Sequence, residues 1–220
     1  MKTDASLRYK LFWVWVFGIA MAYLESAVVV YLRAIYYPGG FSFPLKIIPV
    51  NMAVIEIGRE AMTIVMLLAV AFLAGRNFWQ RFSFFMMSFG IWDIFYYIWL
   101  KVFLNWPHSL LTWDILYLIP VPWTGPVLAP VMVSLAMISS SFLILNLDNR
   151  GIDVAASKTE WGLTVLSATL IFISFILDFQ NIVRGGMPHP FRWDIFGIGL
   201  LLGIVVFARR YRLTKKGKGL

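Results

Sequence analysis

The stretch that decides the fold runs from Asn51 to Ala74 and reads NMAVIEIGREAMTIVMLLAVAFLA. At 1.5 Å of rise per residue, a helix needs about 20 predominantly apolar residues to cross a bilayer, and this stretch is long enough. It nevertheless contains three ionisable side chains close together, Glu56, Arg59 and Glu60. The pattern predicts a membrane-spanning helix whose charges need a structural or chemical partner.

The composition of the whole chain also favours lipid as its solvent. The 220 residues are 60% hydrophobic and 14% charged, and the mean hydropathy is +0.79. Soluble domains are typically about half apolar and about one quarter charged. Because the sequence has no cysteine, disulfides, thiol catalysis and thiolate metal sites are excluded. The length predicts one domain, a single transmembrane domain over residues 1–220.

Apolar runs along the chain predict an all-α integral membrane protein that folds as a six-helix transmembrane bundle. The predicted spans cover residues 11–32, 47–74, 82–104, 125–147, 161–183 and 193–208. Within the first of them, Ala20-Met21-Ala22 resembles a signal-peptidase site. The apolar run continues beyond it to Leu32, and cleavage would leave too little to span, so we favour an uncleaved first helix.

The distribution of basic residues predicts the orientation. With both termini in the cytoplasm, the inner segments carry thirteen Lys and Arg residues, and the outer segments carry five. This bias follows the positive-inside rule. We therefore attribute the net charge of +8 to basic residues that set the membrane orientation and contact membrane lipids, and not to nucleic-acid binding. Compact loops without an Asn-x-Ser/Thr sequon favour a bacterial inner membrane.

Ionisable residues inside the predicted spans form the candidate site. A charge at the centre of a membrane helix costs about 2.5–3.5 kcal/mol, so five unpaired ones would cost on the order of 15 kcal/mol. A typical net folding stability is only about 5–15 kcal/mol. The charges must therefore pair, be protonated or line a wet cavity. Helix spacing places them in stripes near the outer side: Glu56, Arg59 and Glu60; Asp93, Tyr97 and Lys101; Ser174, Asp178 and Asn181; and Glu25 with Arg33.

This one-sided distribution predicts a single pocket that opens to the outside. We predict Glu60 or Asp93 as the catalytic acid or base, with Tyr97 assisting. The predicted substrate-binding residues are Glu25, Arg33, Glu56, Arg59, Lys101, His108, Asp114 and Asp178. Ion pairs that only fix helix register are the structural alternative, but the density of charges favours a functional site.

The segment from Asn105 to Trp123 is predicted to be a short re-entrant or interfacial segment between the third and fourth spans. Ser109 reads as a helix N-cap, and the apolar run from Leu110 to Ile119 is too short to span. Irregular backbone at membrane depth is tolerated where it is buried in protein or faces water. We expect this segment to lie beside the pocket and to present His108 or Asp114 to it.

The residue types favour the binding or acid–base processing of a lipid-soluble or small amphipathic substrate. Two further classes stay open: a transporter or binding component for a small molecule, ion or proton, and an accessory subunit of a larger membrane complex. A metal site is disfavoured because there is no Glu-x-x-His pair and because Arg59 would oppose a cation. The sequence indicates no particular cofactor and no specific protein partner.

Overall fold

The structure is a computed structural model and describes residues 2–46, 48–152, 154 and 156–216. It is mostly helical (73%). Within the described ranges the chain forms α1 (Lys2–Tyr36), α2 (Val50–Ala74), α3 (Phe78–Leu104), β1 (Trp113–Tyr117), β2 (Trp123–Pro126), α4 (Leu128–Asn149), α5 (Lys158–Ile176), α6 (Phe179–Val183) and α7 (Trp193–Lys216).

Five helical segments of this part of the chain are long and apolar enough to cross a membrane: Ser6–Tyr36, Val50–Ala74, Phe78–Leu104, Leu128–Asn149 and Lys158–Val183. Their outer surfaces expose large apolar side chains, such as Val50 at 80% and Leu73 at 87%. A soluble protein rarely leaves such extensive apolar surface in water. The prediction of a helical integral membrane protein is confirmed at this level.

Helix α3 forms the centre of the packing, since it lies against α1, α2 and α4, while α5 packs against α7. The main core cluster joins Phe84, Met87 and Ile91 of α3 to Val14 of α1 and Leu145 of α4. Glycine permits the close approach of α3 to α4. A Cβ atom at Gly90 would lie 2.8 Å from the backbone oxygen of Ser134 on α4.

Most helix boundaries differ from the predicted spans, and at the starts of α3 and α5 a side-chain cap decides the boundary. Helix α1 extends over both ends of the predicted span 11–32. Helix α3 begins at Phe78, after Asn77 caps it by accepting the Gln80 N–H. A capping box between Ser157 and Glu160 begins α5. The predicted start of the second span, Ile47, lies outside the described residues.

The segment between α3 and α4 folds differently from the helix start predicted at Ser109, and that prediction is wrong. Strands β1 and β2 pair antiparallel, with Trp113 opposite Pro126. The Ser109 hydroxyl instead accepts the Leu111 N–H in a tight turn before β1. Aromatic and β-branched residues of the sequence WDILY favour a strand, and the prolines after it cannot continue a helix. Because β2 takes up Trp123–Pro126, the fourth helix begins at Leu128 and not at Gly125.

Gly90→Ala is expected to lower the thermal unfolding midpoint, because the new methyl group would meet the Ser134 carbonyl. Overpacking of this kind costs about 1–3 kcal/mol. Gly58→Ala is the matched control, since nothing lies within 4 Å of its added Cβ and alanine favours a helix by about 1 kcal/mol. Tryptophan fluorescence during heating in nanodiscs measures both. A Gly90→Ala midpoint at or above that of the wild type would contradict the close contact between α3 and α4.

Candidate functional site

The centre of the candidate site is the Arg59 guanidinium on α2. It forms ion pairs with Glu25 of α1 and with Glu56 of its own helix, the latter at 2.9 Å. The spacing of three residues puts Glu56 and Arg59 on one helix face. The side chain of Arg59 is 25% exposed, whereas those of Glu25 and Glu56 are 7% and 8% exposed. Two buried carboxylates from two helices therefore share one cation.

Thr63 completes this group from one turn further along α2. Its hydroxyl contacts the Glu25 carboxylate and lies 3.1 Å from the Arg59 carbonyl oxygen. The residue is almost fully buried. The sequence analysis missed Thr63, although it follows Arg59 by four residues and so lies on the same helix face. A polar residue at that spacing from a buried charge was the signal that would have found it.

Glu60 is the third carboxylate of α2 and is held by the hairpin. The Leu118 N–H donates to Glu60 Oε2 at 2.8 Å, and the Tyr117 hydroxyl donates to the Glu60 carbonyl oxygen at 2.7 Å. Glu60 is 7% exposed. Within the described ranges no ion pair reaches its carboxylate. Glu60 is thus buried beside the Arg59 group without a cation of its own.

A second ion pair joins α1 to the hairpin. Arg33 Nη2 lies 3.1 Å from Asp114 Oδ1, and the two side chains are 9% and 3% exposed. The guanidinium carbon also lies 3.7 Å from the centroid of the Trp106 ring, a cation–π contact. Burial raises the pKa of Asp114 to about 6, although the neighbouring Arg33 opposes this rise. Arg33 Nη1 and Asp114 Oδ2 are buried without a hydrogen-bond partner.

Asp93 lies on α3 and faces α4. The Ser134 hydroxyl donates to Asp93 Oδ2 at 2.8 Å. Ser134 is almost fully buried, and it belongs to a span in which the sequence analysis found no ionisable residue. A neutral serine in a membrane helix usually packs helices, so no sequence signal assigned it to the site.

Two adjacent tyrosines of α3 lie beside the second ion pair. The ring of Tyr97 lies against Tyr96 and Trp106, with centroids 5.0 and 6.5 Å away. Trp106 in turn contacts the Arg33 guanidinium. Tyr96 was not among the predicted site residues, because only the spacing of Asp93 and Tyr97 was considered.

Three predicted binding residues lie apart from these buried groups. Lys101 is exposed, and its ammonium donates to the backbone oxygens of Asn105 and Pro107 at the end of α3. His108 is exposed in the following loop. Asp178 contacts His189, with Oδ1 2.7 Å from Nδ1. The ammonium of Lys101 satisfies carbonyls at a helix end, and Asp178 has a local partner, so neither is drawn toward the buried charges.

Comparison of the chain with protein-family models, curated proteins and solved structures gave no match. In the described part of the chain, no group of three or more His, Cys, Asp or Glu side chains is arranged to hold a metal ion. The chemistry is therefore inferred from the arrangement of Glu25, Glu56, Arg59 and Glu60, which we call the α2 cluster, and from its neighbours Asp93 and Tyr96.

Arg59→Gln should destabilise the protein by about 3–5 kcal/mol, because it leaves Glu25 and Glu56 buried without a cation. The triple variant Glu25→Gln/Glu56→Gln/Arg59→Gln should regain most of that loss, since it removes all three charges. Chemical unfolding in detergent micelles measures the series, and Arg8→Gln on the exposed surface is the matched control. If Arg59→Gln unfolds no more readily than Arg8→Gln, the shared ion pair is not a stabilising contact.

Proposed function

We propose that the chain is a six-span protein of a bacterial inner membrane with both termini in the cytoplasm. The sixth span would be α7, whose 24 residues give about 36 Å of helix. Its last turns contain Arg209, Arg210 and Arg212, which suit the inner surface under the positive-inside rule. The five other spanning segments then place the N-terminus on that same side.

The hairpin between α3 and α4 would be the re-entrant segment in this topology. The hairpin contacts α2 at Glu60, which lies ten residues after Val50, the first residue of that helix. That separation corresponds to about 15 Å along the helix axis. At such a depth the backbone N–H and C=O groups need hydrogen-bond partners within the protein. The pairing of β1 with β2 supplies them.

We propose further that the α2 cluster binds a lipid-soluble or small amphipathic molecule and performs acid–base chemistry on it. The observation that carries this proposal is the uneven charge balance. Glu25 and Glu56 share Arg59, whereas Glu60 is buried beside them without a cation. A structural ion-pair network would need no third carboxylate, because each buried ionisable group adds a desolvation cost.

The environments of two carboxyl groups support different roles for them. A buried carboxyl group without a cationic partner favours its neutral form, so Glu60 is the proposed proton donor. Asp93 accepts the Ser134 hydroxyl much as Glu60 accepts a backbone N–H, but Asp93 is only partly buried, so its charged form is less disfavoured and it is the proposed proton acceptor. Pairs of carboxyl groups in contrasting environments are typical of acid–base catalysis.

The proposed reaction moves protons only. Glu60 gives a proton to one carbon of a substrate double bond, Asp93 takes a proton from a carbon next to the resulting cation, and the product is an isomer of the substrate with the double bond moved. The two carboxyl groups then exchange protons with water to return to their starting forms. The aromatic rings of Tyr96, Tyr97 and Trp106 would stabilise a cationic intermediate near the cluster. No oxidant or reductant is needed.

A binding or transport component is the second candidate, and one contact favours it. Arg59 keeps 25% of its side chain exposed although it already pairs with two carboxylates. An anionic group of a ligand could therefore reach it. This candidate uses the same cluster but requires no proton transfer to the ligand, which is the difference that an experiment can detect.

The test starts from native mass spectrometry of the protein released from nanodiscs made with lipids of its host membrane. The wild type is expected to carry a bound small molecule. After incubation in D₂O, that molecule should gain mass at carbon-bound positions, because an acid–base isomerisation passes solvent protons through the substrate. Glu60→Gln should lose this incorporation by about 100-fold or more, the usual size of one general-acid contribution.

Asp194→Asn is the matched control, since Asp194 is an exposed carboxylate paired with Arg192 outside the cluster. It should keep both the bound mass and the deuterium. A bound molecule that never gains deuterium would contradict the acid–base reaction and favour the second candidate, a binding or transport component. A wild type without any bound molecule, or a Glu60→Gln variant that incorporates deuterium at the wild-type rate, would contradict the proposal for the α2 cluster.

A further inference from the structure

A cavity of about 380 Å³ lies far from the α2 cluster. It is lined by the N-terminal part of α1, by the connection between α2 and α3, and by the C-terminal part of α4. Lys10 marks its position on α1, fifteen residues before Glu25. This separation is about 22 Å along the helix, so the cavity and the α2 cluster are independent sites.

Two cations line this cavity. The Lys10 ammonium donates to the Ala74 carbonyl oxygen at 2.6 Å and has two further hydrogens for other acceptors. Arg76 is exposed, and among the described residues its guanidinium has no carboxylate within ion-pair distance. The short link between α2 and α3 carries Arg76 to the cavity that Lys10 of α1 also lines.

Among the described residues, the one acid that lines the cavity already has hydrogen-bond partners. Asp148 accepts from Asn77 Nδ2 at 3.0 Å through Oδ1 and from Gln80 Nε2 at 2.6 Å through Oδ2. It therefore does not compete with a ligand for the two cations through an ion pair. With Lys10, Arg76 and Asp148, the lining keeps an excess of positive charge.

The deeper lining is apolar. Leu7 of α1, Phe84 of α3 and Leu145 of α4 contribute to the cavity, and Phe84 and Leu145 also belong to the main core cluster. A cavity with a cationic opening and an apolar interior matches an amphiphile that has an anionic head and a hydrocarbon chain. Helix ends of a membrane protein lie at the level where lipid headgroups are found.

We propose that this cavity binds the phosphate group of an anionic phospholipid, with Lys10 and Arg76 as its ligands and the start of the lipid chain against Leu7. Lys and Arg both bind phosphate oxygens through charge-assisted hydrogen bonds. Free phosphate offers the same oxygens, but it cannot use the apolar side of the cavity. The site has no role in the acid–base chemistry proposed for the α2 cluster.

The experiment uses the full chain in nanodiscs that contain equal amounts of phosphatidylglycerol and phosphatidylcholine. Native mass spectrometry after release counts the lipids of each kind that stay bound. The wild type should retain phosphatidylglycerol in preference, and Arg76→Gln and Lys10→Gln should each weaken its binding about fivefold, which is about 1 kcal/mol. Arg8→Gln, an exposed cation of α1, is the matched control and should retain the lipid.

Because Lys10 also donates to Ala74 of α2, Lys10→Gln changes a structural contact as well as the cavity. Arg76→Gln is the cleaner variant, since the Arg76 side chain forms no hydrogen bond in the described structure. Equal retention of the two lipids by the wild type would overturn the proposal, as would equal losses in Arg8→Gln and Arg76→Gln. In a parallel arm, inorganic phosphate is added as a competitor. Displacement of the lipid by millimolar phosphate would show that the site selects phosphate alone, and it would contradict a phospholipid as the ligand. Glu60→Gln should keep the bound phosphatidylglycerol, which separates this site from the α2 cluster.

Discussion

The sharing of the Arg59 guanidinium between Glu25 and Glu56 is the interaction on which the rest of the membrane site depends. An unpaired charge within a membrane helix costs a few kcal/mol, so one arginine between two carboxylates lowers this cost for α1 and α2 together. The same contact joins the two helices. The neighbouring Glu60 stays outside it, so an ion pair does not decide the protonation of Glu60.

The hairpin depends on this arrangement because the two ends of β1 meet charges on different helices. Asp114 pairs with Arg33 near the end of α1, and Leu118 donates to Glu60 within α2. Burial raises the pKa of Asp114 to about 6, although Arg33 opposes this rise. The hairpin is therefore bound to the charged helices by polar contacts, while Trp123 packs against Phe175 of α5 on its other side.

The sequence predicted the charges that meet within one helix better than those that meet between elements. The spacing of Glu56 and Arg59 implies their contact, since both lie on one face of α2. The strands were not predicted, because the periodicity of a short apolar run does not distinguish a strand from a helix, and the aromatic and β-branched content of WDILY was not considered. Lys101 was grouped with Asp93 by spacing alone, and the carbonyl groups at the end of α3 attract its ammonium instead.

The protonation state of Glu60 tests most directly the claim that Glu60 is the proton donor of the α2 cluster. A proton donor is neutral before the reaction, whereas a member of a structural ion-pair network is ionised. Infrared spectroscopy of the protein in nanodiscs at neutral pH reads the carbonyl stretch of protonated carboxyl groups, with Glu60→Gln and the surface variant Asp194→Asn measured beside the wild type. We predict a band that disappears in Glu60→Gln and persists in Asp194→Asn. A spectrum that Glu60→Gln leaves unchanged in this region would show that Glu60 is ionised, and it would contradict Glu60 as the proton donor.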